Sequence, residues 1–124
     1  MNRFESKEDY LEAILVLNEN NTLVRAIDIA SYMNYSKPSV SIALKKLKEL
    51  EYISVCEHTG SVKLTKVGKE IALQVYERHQ TLTSFFVSIG VSEKVAKEDA
   101  CKIEHDISKE TLQKIKEFLK EKEK

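Results

Sequence analysis

The sequence predicts a mainly α-helical fold with a single small β-hairpin. Residues that break regular structure are rare, because the 124 residues include one proline and three glycines. Apolar residues recur at helical spacing over most of the chain, whereas only residues 52–56 and 61–64 alternate as strands do. We therefore expect several helices and one hairpin, in one domain or in two small ones.

The composition is that of a water-soluble globular protein, with 42% hydrophobic and 32% charged residues. Lysine plus arginine total 20 and aspartate plus glutamate total 20, so the overall charge gives no argument for a nucleic-acid partner. No apolar run approaches the roughly 20 residues of a membrane span, and the N-terminus does not resemble a signal peptide. We expect a cytoplasmic protein with no membrane partner, in which Cys56 and Cys101 stay reduced.

The first helix is predicted to begin at Ser6, which can cap the free amides, and to end between residues 18 and 21. Asp9 and Glu12 have i, i+3 spacing and therefore lie side by side on this helix. In the simplest interpretation, Asp9 belongs to the capped first turn and Glu12 is a solvated charge. The alternative is that the two carboxylates are metal ligands.

Two helices joined by a short turn are predicted next, at residues 26–33 and 37–50. Pro38 falls in the first turn of the second helix, where its missing amide costs nothing. One face of this helix is apolar and is expected to be buried: Val40, Leu44 and Leu47.

The opposite face of the second helix begins with small polar residues and continues with lysines. A recognition helix has this layout, since its first turns read base edges in the major groove and basic groups farther along meet phosphates. An amphipathic core helix with a solvated face would explain the lysines equally well. The candidate DNA-binding residues are Ser36, Lys37, Pro38, Ser39, Ser41, Ile42, Lys45 and Lys46.

A β-hairpin follows directly, with residues 57–60 as its turn and Cys56 expected as a small core residue of its first strand. A helix-turn-helix followed by a hairpin is the winged-helix arrangement. Residues 36–66 carry six lysines against three glutamates, a local excess of three positive charges in a neutral chain. This combination favours binding to double-stranded DNA, although some winged helices bind only protein.

Three helices are predicted after the hairpin. Thr65 can cap a long helix running to about residue 89, and Ser92 and Ser108 can start the next two. His79 lies on the apolar stripe of the long helix, either as a hydrogen-bonded core residue or as a ligand. The length of this stripe indicates a helix for dimerisation or for contact between two lobes of the chain, and its apolar residues are Ile71, Val75, Leu82, Phe86 and Ile89.

A thiol, a carboxylate and an imidazole follow near the end of the chain, as Cys101, Glu104 and His105. Their i, i+3, i+4 spacing would place all three on one face of a helix. These groups are the ordinary side-chain ligands of first-row divalent metals. The plainer alternative is a surface pair of Glu104 and His105 beside a small buried cysteine.

Four motifs together resemble the diphtheria-toxin-repressor family of metal-dependent bacterial transcription factors, in particular its short members of the manganese-transport-regulator type. They are EDYLEAI at residues 8–14, SKPSVS at 36–41, RH at 78–79 and ACKIEH at 100–105. The resemblance implies a winged helix-turn-helix DNA-binding domain at residues 1–65. It also implies a helical metal-binding and dimerisation domain at residues 66–124, with metal between the two domains favouring the DNA-binding geometry.

The resemblance also implies two neighbouring metal sites. Asp9, Cys101, Glu104 and His105 match one site, while Glu12 and His79 match the second, and Glu104 resembles a residue that can touch both metals.

Three features depart from the family pattern. The short manganese-type members have a carboxylate where this chain has Cys101, and the longer iron-type members have a methionine where it has Asp9. Iron-type members also carry ancillary ligands where Thr83 and Lys97 stand here, and an additional C-terminal domain. The implied cofactor is Mn²⁺ or Fe²⁺, and the thiolate is expected to let Co²⁺ or Zn²⁺ bind in vitro.

The expected function is that of a homodimeric, metal-dependent repressor that binds a DNA operator and controls manganese or iron homeostasis. It has no small organic substrate and is not an enzyme. One alternative is a thiol redox sensor on the same scaffold, with Cys101 as the reactive group. Another is a small hydrolase using Cys101 with His79 or His105, which lacks an evident oxyanion-hole loop.

Overall fold

The structure is a computed structural model that describes residues 3–21 and 23–122, with the backbone alone for residues 3–6. The predicted fold class, mainly helical with one small hairpin, is confirmed. The elements in chain order are α1 (Arg3–Asn20), α2 (Ala26–Met33), α3 (Lys37–Glu49), β1 (Ile53–Val55), β2 (Val62–Leu64), α4 (Lys66–Ser88), α5 (Glu93–Ile103) and α6 (Lys109–Lys122).

The chain divides into two compact units, an N-terminal unit of residues 1–73 and a C-terminal unit of residues 74–124. The division falls within α4, whose first two turns belong to the N-terminal unit. The two units are described separately below.

Helix α1 begins earlier than the sequence indicates. The predicted start at Ser6 is wrong, because the helix already includes Arg3 and the backbone of Ser6 lies inside it. The predicted cap itself concerns a side chain outside the described set. An acidic stretch after a serine resembles a helix start, but it is equally compatible with a helix that is already under way.

The core of the N-terminal unit is formed by apolar side chains from the first three helices and the hairpin. Tyr10 and Tyr35 meet edge to face in this core, with ring centroids 5.8 Å apart. Burial raises the pKa of the Tyr10 phenol above its ordinary value, and Tyr35 adds to the shift. The most deeply buried members are Leu11, Ile14, Val24, Ile29, Val40, Leu47 and Val62.

The turn between α2 and α3 matches the prediction. Asn34 has a left-handed backbone with φ of 59°, and the amide of Tyr35 donates to the carbonyl of Ala30 at 3.0 Å, which ends α2. Ser36 then caps α3 by accepting from the amide of Ser39 at 3.3 Å. Helix α3 ends one residue earlier than predicted, at Glu49. We call Val40, Leu44 and Leu47, which are buried as predicted, the buried stripe of α3.

The hairpin pairs β1 with β2 in antiparallel register, with Ile53 opposite Leu64 and Val55 opposite Val62. A third segment joins it, because the amide of Val62 donates to the carbonyl of Val24 at 2.7 Å. Both strands are shorter than predicted and leave Cys56 outside β1. The expectation that Cys56 is a core residue is wrong, since it is exposed beside the turn.

The start of α4 is held against the end of α3 through Thr65. Its hydroxyl donates to the carbonyl of Glu51 at 2.7 Å and accepts from the amide of Gly68 at 3.1 Å, which confirms the predicted cap. Gly68 lies so close to the carbonyl oxygen of Tyr52 that a Cβ at this position would overlap it. Glycine is therefore required here by space, although α4 gives it an ordinary helical backbone.

In the C-terminal unit, α6 packs against the second part of α4, and Glu104 at the C-cap of α5 contacts α4 as well. Phe85 of α4 and Phe118 of α6 meet edge to face, with centroids 5.8 Å apart, and Lys116 pairs with Glu77. Ser108 accepts from the amide of Thr111 at 3.1 Å, as predicted for the start of α6. The buried side chains of this unit include Val75, Leu82, Ala96, Ala100 and Leu112.

The apolar stripe of α4 is not one exposed surface. Val75 and Leu82 are each only 1% exposed, whereas Ile89 is 58% exposed. The stripe predicted to face a partner is therefore buried in part within the chain itself.

Among the described residues, no helix has both the length and the apolar character needed to span a bilayer.

Replacing Gly68 by alanine should destabilise the protein. In an unobstructed helix this change is stabilising by about 1 kcal/mol, but here the new methyl group collides with the Tyr52 backbone. Overpacking of this kind typically costs about 1–3 kcal/mol. Urea unfolding of Gly68→Ala against the exposed neighbour Lys69→Ala measures the difference. A Gly68→Ala protein as stable as the wild type would show that α4 does not approach Tyr52 so closely.

Candidate metal centre and nucleic-acid interface

The candidate nucleic-acid interface is the outward face of α3. All eight residues predicted to contact DNA are exposed. Ser36 and Ser39 are engaged with each other, since the Ser36 hydroxyl donates to the Ser39 hydroxyl at 2.9 Å while capping the helix. The first turn of the helix therefore carries small polar groups together with Lys37 and Pro38. Lys45 and Lys46 follow about two turns later.

A shallow groove separates α3 from the hairpin within the N-terminal unit. Lys45 and Lys48 line it from the helix, and Gly60 and Val62 line it from the hairpin. Lys48 was not among the predicted DNA-binding residues, although the count of lysines in residues 36–66 included it. Its position beside the hairpin makes it a further candidate for a phosphate contact.

The hairpin turn also carries a thiol with an altered acidity. The side chain of Thr59 donates a hydrogen bond that lowers the pKa of the Cys56 thiol from its ordinary value. Backbone amides of Thr59 and His58 lower it further, and the charge of Lys63 contributes less. Cys56 and Cys101 are both exposed.

The centre of the candidate metal site is Glu104, which is completely buried in the C-terminal unit. Its Oε2 lies 2.9 Å from Nδ1 of His79 on α4, and its Oε1 lies 3.4 Å from Nε2 of His105. Arg78 donates to the backbone carbonyl of Glu104 at 3.5 Å. One buried carboxylate is thus placed between two imidazoles.

The end of α5 corrects one part of the sequence prediction. The helix ends at Ile103, Glu104 is its C-cap with φ of −60° and ψ of −24°, and His105 belongs to the following turn. A single helix therefore does not carry all three predicted ligands. Cys101 lies in the last turn of α5 and is exposed, whereas Glu104 is buried. The alternative of a surface pair of Glu104 and His105 beside a buried cysteine is wrong.

The chemistry of this cluster fits a divalent cation. Although Oε1 of Glu104 lies near His105, it is buried without a hydrogen bond, and a buried charge without compensation is costly. A cation would compensate the carboxylate and accept electron pairs from both imidazoles, which is the donor set of zinc, iron and manganese sites. The hydrogen bond between His79 and Glu104 also agrees with the simpler prediction that His79 is a hydrogen-bonded core residue.

The remaining predicted ligands lie in the N-terminal unit. Asp9 and Glu12 are both on α1 and both half-buried. The six candidate ligands are therefore divided, with two in the N-terminal unit and four in the C-terminal unit.

The two positions at which iron-type members carry ancillary ligands are different in character. Lys97 is an exposed cation paired with Glu93 at 3.2 Å on the surface of α5, which is unsuited to bind a metal. Thr83 is half-buried on α4, and its hydroxyl oxygen has no hydrogen bond.

Family models match almost the whole chain. Residues 4–61 match the N-terminal DNA-binding domain of the iron-dependent repressors, and residues 65–124 match their metal-binding and dimerisation domain. The chain belongs to the diphtheria-toxin-repressor family of metal-dependent regulators. The family resemblance seen in the sequence is thereby confirmed.

Individual relatives agree with this membership. An HTH-type transcriptional regulator of Methanocaldococcus jannaschii is 38% identical over 117 residues, covering 93% of each chain. The transcriptional regulator MntR of Salmonella typhimurium is 35% identical over 119 residues, which cover 96% of this chain and 75% of the relative. The solved structure of the manganese regulator SloR is 30% identical, with a TM-score of 0.81 over 92% of this chain. This chain spans about half of that regulator, 53% of its length.

Membership makes the chain a metal-dependent DNA-binding transcriptional regulator and not an enzyme. The hydrolase alternative is therefore wrong. The alternative of a redox sensor based on Cys101 has no support from any of these relatives.

Proposed function

We propose that this chain is a homodimeric repressor that binds a duplex operator in the cytoplasm when Mn²⁺ or Fe²⁺ is bound, and that it controls manganese or iron homeostasis. The observation that carries the proposal is the buried Glu104 carboxylate, flanked by His79 and His105 and left with one oxygen that has no hydrogen bond. The family's iron-dependent repressors and the manganese regulator SloR support the choice of these two metals.

We assign the metal ligands as His79, Glu104 and His105, joined by Cys101 and by Asp9 and Glu12 of α1. Asp9 and Glu12 lie about one turn apart on α1, so their carboxylates repel each other, and a divalent cation would offset that repulsion. If a metal binds the DNA-binding conformation more tightly than the other conformations, it raises the population of that conformation by the ratio of its affinities for them.

We assign residues 1–65 to the DNA-binding domain and residues 66–124 to the metal-binding and dimerisation domain.

The proposed DNA contacts follow from the chemistry of α3. The exposed first turns, with Ser39 and Ile42, would meet base edges, and Lys45, Lys46 and Lys48 would meet phosphates. In a homodimer, two such helices would enter successive major grooves, about 34–36 Å apart.

The dimer is proposed to form through apolar residues that the C-terminal unit leaves exposed. Val87 at the end of α4 is 45% exposed, Ile89 just after α4 is 58% exposed, and Val95 on α5 is 43% exposed. Val75 and Leu82 are excluded from this surface because they are buried within the chain. The match to a dimerisation domain over residues 65–124 supports the placement.

Glu104→Gln should remove metal-dependent operator binding without destabilising the metal-free protein. The amide keeps the shape of the side chain but removes the buried charge, so the metal loses its central ligand. Mn²⁺ at about one hundred times its Kd should stabilise the wild type by about 2.7 kcal/mol and the variant by much less. Thermal unfolding and operator binding, with and without Mn²⁺ or anaerobic Fe²⁺, measure both effects.

The exposed Glu98→Gln on α5 is the matched control and should behave as the wild type. Full metal-dependent operator binding by Glu104→Gln would remove Glu104 from the site. Wild-type operator binding that does not depend on metal would refute the proposed function as a whole.

Lys45→Ala or Lys46→Ala should weaken binding to the operator and to random duplexes alike. Each lost phosphate contact should make the slope of log K against log salt shallower by about one unit. Fluorescence anisotropy across a salt series measures the slope, and Lys114→Ala on α6 is the control. An unchanged slope in both α3 variants would mean that the lysines do not meet phosphates.

Ile89→Asp should convert the dimer into a monomer at micromolar concentration, because it places a charge in the proposed apolar interface. Ile27→Asp is the matched control, since Ile27 is 53% exposed but lies on α2. Sedimentation velocity distinguishes the two species. A wild type that sediments as a monomer with and without metal would contradict the homodimer itself.

Cys101→Glu should shift activation toward manganese. A thiolate favours the softer, later metals, so the wild type should bind Co²⁺ or Zn²⁺ more tightly than Mn²⁺, although the activating ion is Mn²⁺ or Fe²⁺. Replacing the thiolate by a carboxylate restores an oxygen-and-nitrogen donor set. Operator affinity measured with Mn²⁺ and with anaerobic Fe²⁺ should give a higher manganese-to-iron ratio in the variant, and an equal ratio would exclude Cys101 from setting selectivity.

A further inference from the structure

Ile42 occupies an unusual place on α3. Its side chain is 61% exposed, the largest value among the large apolar residues that the structure describes as exposed. At about 100° per residue, it lies about 190° around the helix from the middle of the buried stripe of α3. Ile42 therefore takes no part in the core of the N-terminal unit.

Polar and basic residues surround Ile42 on the same face. Pro38 and Ser39 lie one turn before it, and Lys45 and Lys46 lie one turn after it. Single exposed isoleucines are ordinary on protein surfaces. What distinguishes this one is its position midway between the helix start, which is proposed to meet base edges, and the lysines, which are proposed to meet phosphates.

The major groove offers few partners to such a side chain. Isoleucine neither donates nor accepts hydrogen bonds, so covering a guanine, adenine or cytosine edge would remove water from polar groups without replacing it. The 5-methyl group of thymine is the apolar group on the base edges of this groove. A β-branched side chain is also stiff, which fixes where its methyl groups lie.

We propose that Ile42 is a specificity-determining residue that selects thymine by contact with its 5-methyl group. The inference rests on the proposed function, since it requires that α3 enters the major groove. It adds a base preference that hydrogen bonding from Ser39 or charge from Lys45 does not supply.

The experiment uses the metal-loaded full chain and a duplex selected by it from a random library. Each thymine of the selected half-site is replaced in turn by deoxyuridine, symmetrically in both half-sites, which removes one methyl group and leaves the hydrogen-bonding edge unchanged. Loss of one buried methyl contact should weaken wild-type binding about fourfold per half-site, and about sixteenfold for the symmetric pair. This effect should occur at one thymine position.

Ile42→Ala tests whether the side chain is responsible. At that thymine position, the variant should bind the thymine and deoxyuridine duplexes with nearly equal affinity. Ile42→Val retains the branched methyl groups and should keep most of the discrimination. Lys45→Ala is the control, because it should weaken binding to both duplexes and leave their ratio unchanged.

Two results would overturn the inference. If every deoxyuridine substitution affects the wild type and Ile42→Ala equally, Ile42 does not read thymine, although the protein still binds its operator. If the metal-loaded protein selects no sequence from the library, both the inference and the proposed function fail. Since Ile42 is exposed, Ile42→Ala should unfold at the wild-type temperature, which verifies that a changed ratio reports recognition.

Discussion

Complete burial of the Glu104 carboxylate is the constraint on which the C-terminal unit depends. A charge removed from water needs compensation from its neighbours, and here they are the imidazoles of His79 at 2.9 Å and His105 at 3.4 Å. The compensation is incomplete, because one carboxylate oxygen has no hydrogen bond. A buried carboxylate with one oxygen unpaired lowers the stability of the metal-free protein, and the same oxygen could interact with a cation. In the proposed function, the same side chain opposes stability and favours ligand binding, as functional sites often do.

In the N-terminal unit, the residues that stabilise the fold and those available for binding lie on different faces of α3. The buried stripe of α3 fixes the helix in the core, and the cap made by Ser36 fixes its start. The opposite face has no part in that packing, so its residues are free to suit a nucleic-acid partner. In the proposed function, stability and recognition therefore depend on different sides of one helix, which would allow the recognised sequence to change without loss of the fold.

Local signals account for what the sequence predicted well. The bounds of α2 and the caps by Thr65 and Ser108 depend on residues within one helical turn, and all were predicted correctly. The start of α1 at Ser6 was wrong because a serine before acidic residues also occurs inside helices.

Distant contacts account for most of the remaining differences. Val75 is covered by parts of the chain that a periodic pattern on α4 does not reveal, and Cys56 lies beyond a strand that ends early. Cys101, Glu104 and His105 were picked out because thiol, carboxylate and imidazole groups are recognisable by type, yet their spacing suggested a longer α5 than the one observed. The hydrogen bond between Val62 of the hairpin and Val24 was missed for the same reason, and it affects the stability of the hairpin. Two strands of three residues are marginal alone, and this extra hydrogen bond holds β2 at Val62, the strand residue next to the turn. The exposed residues 57–59 can then lengthen or shorten, as an insertion site in protein engineering, because the hairpin is held at Val62 just beyond the turn.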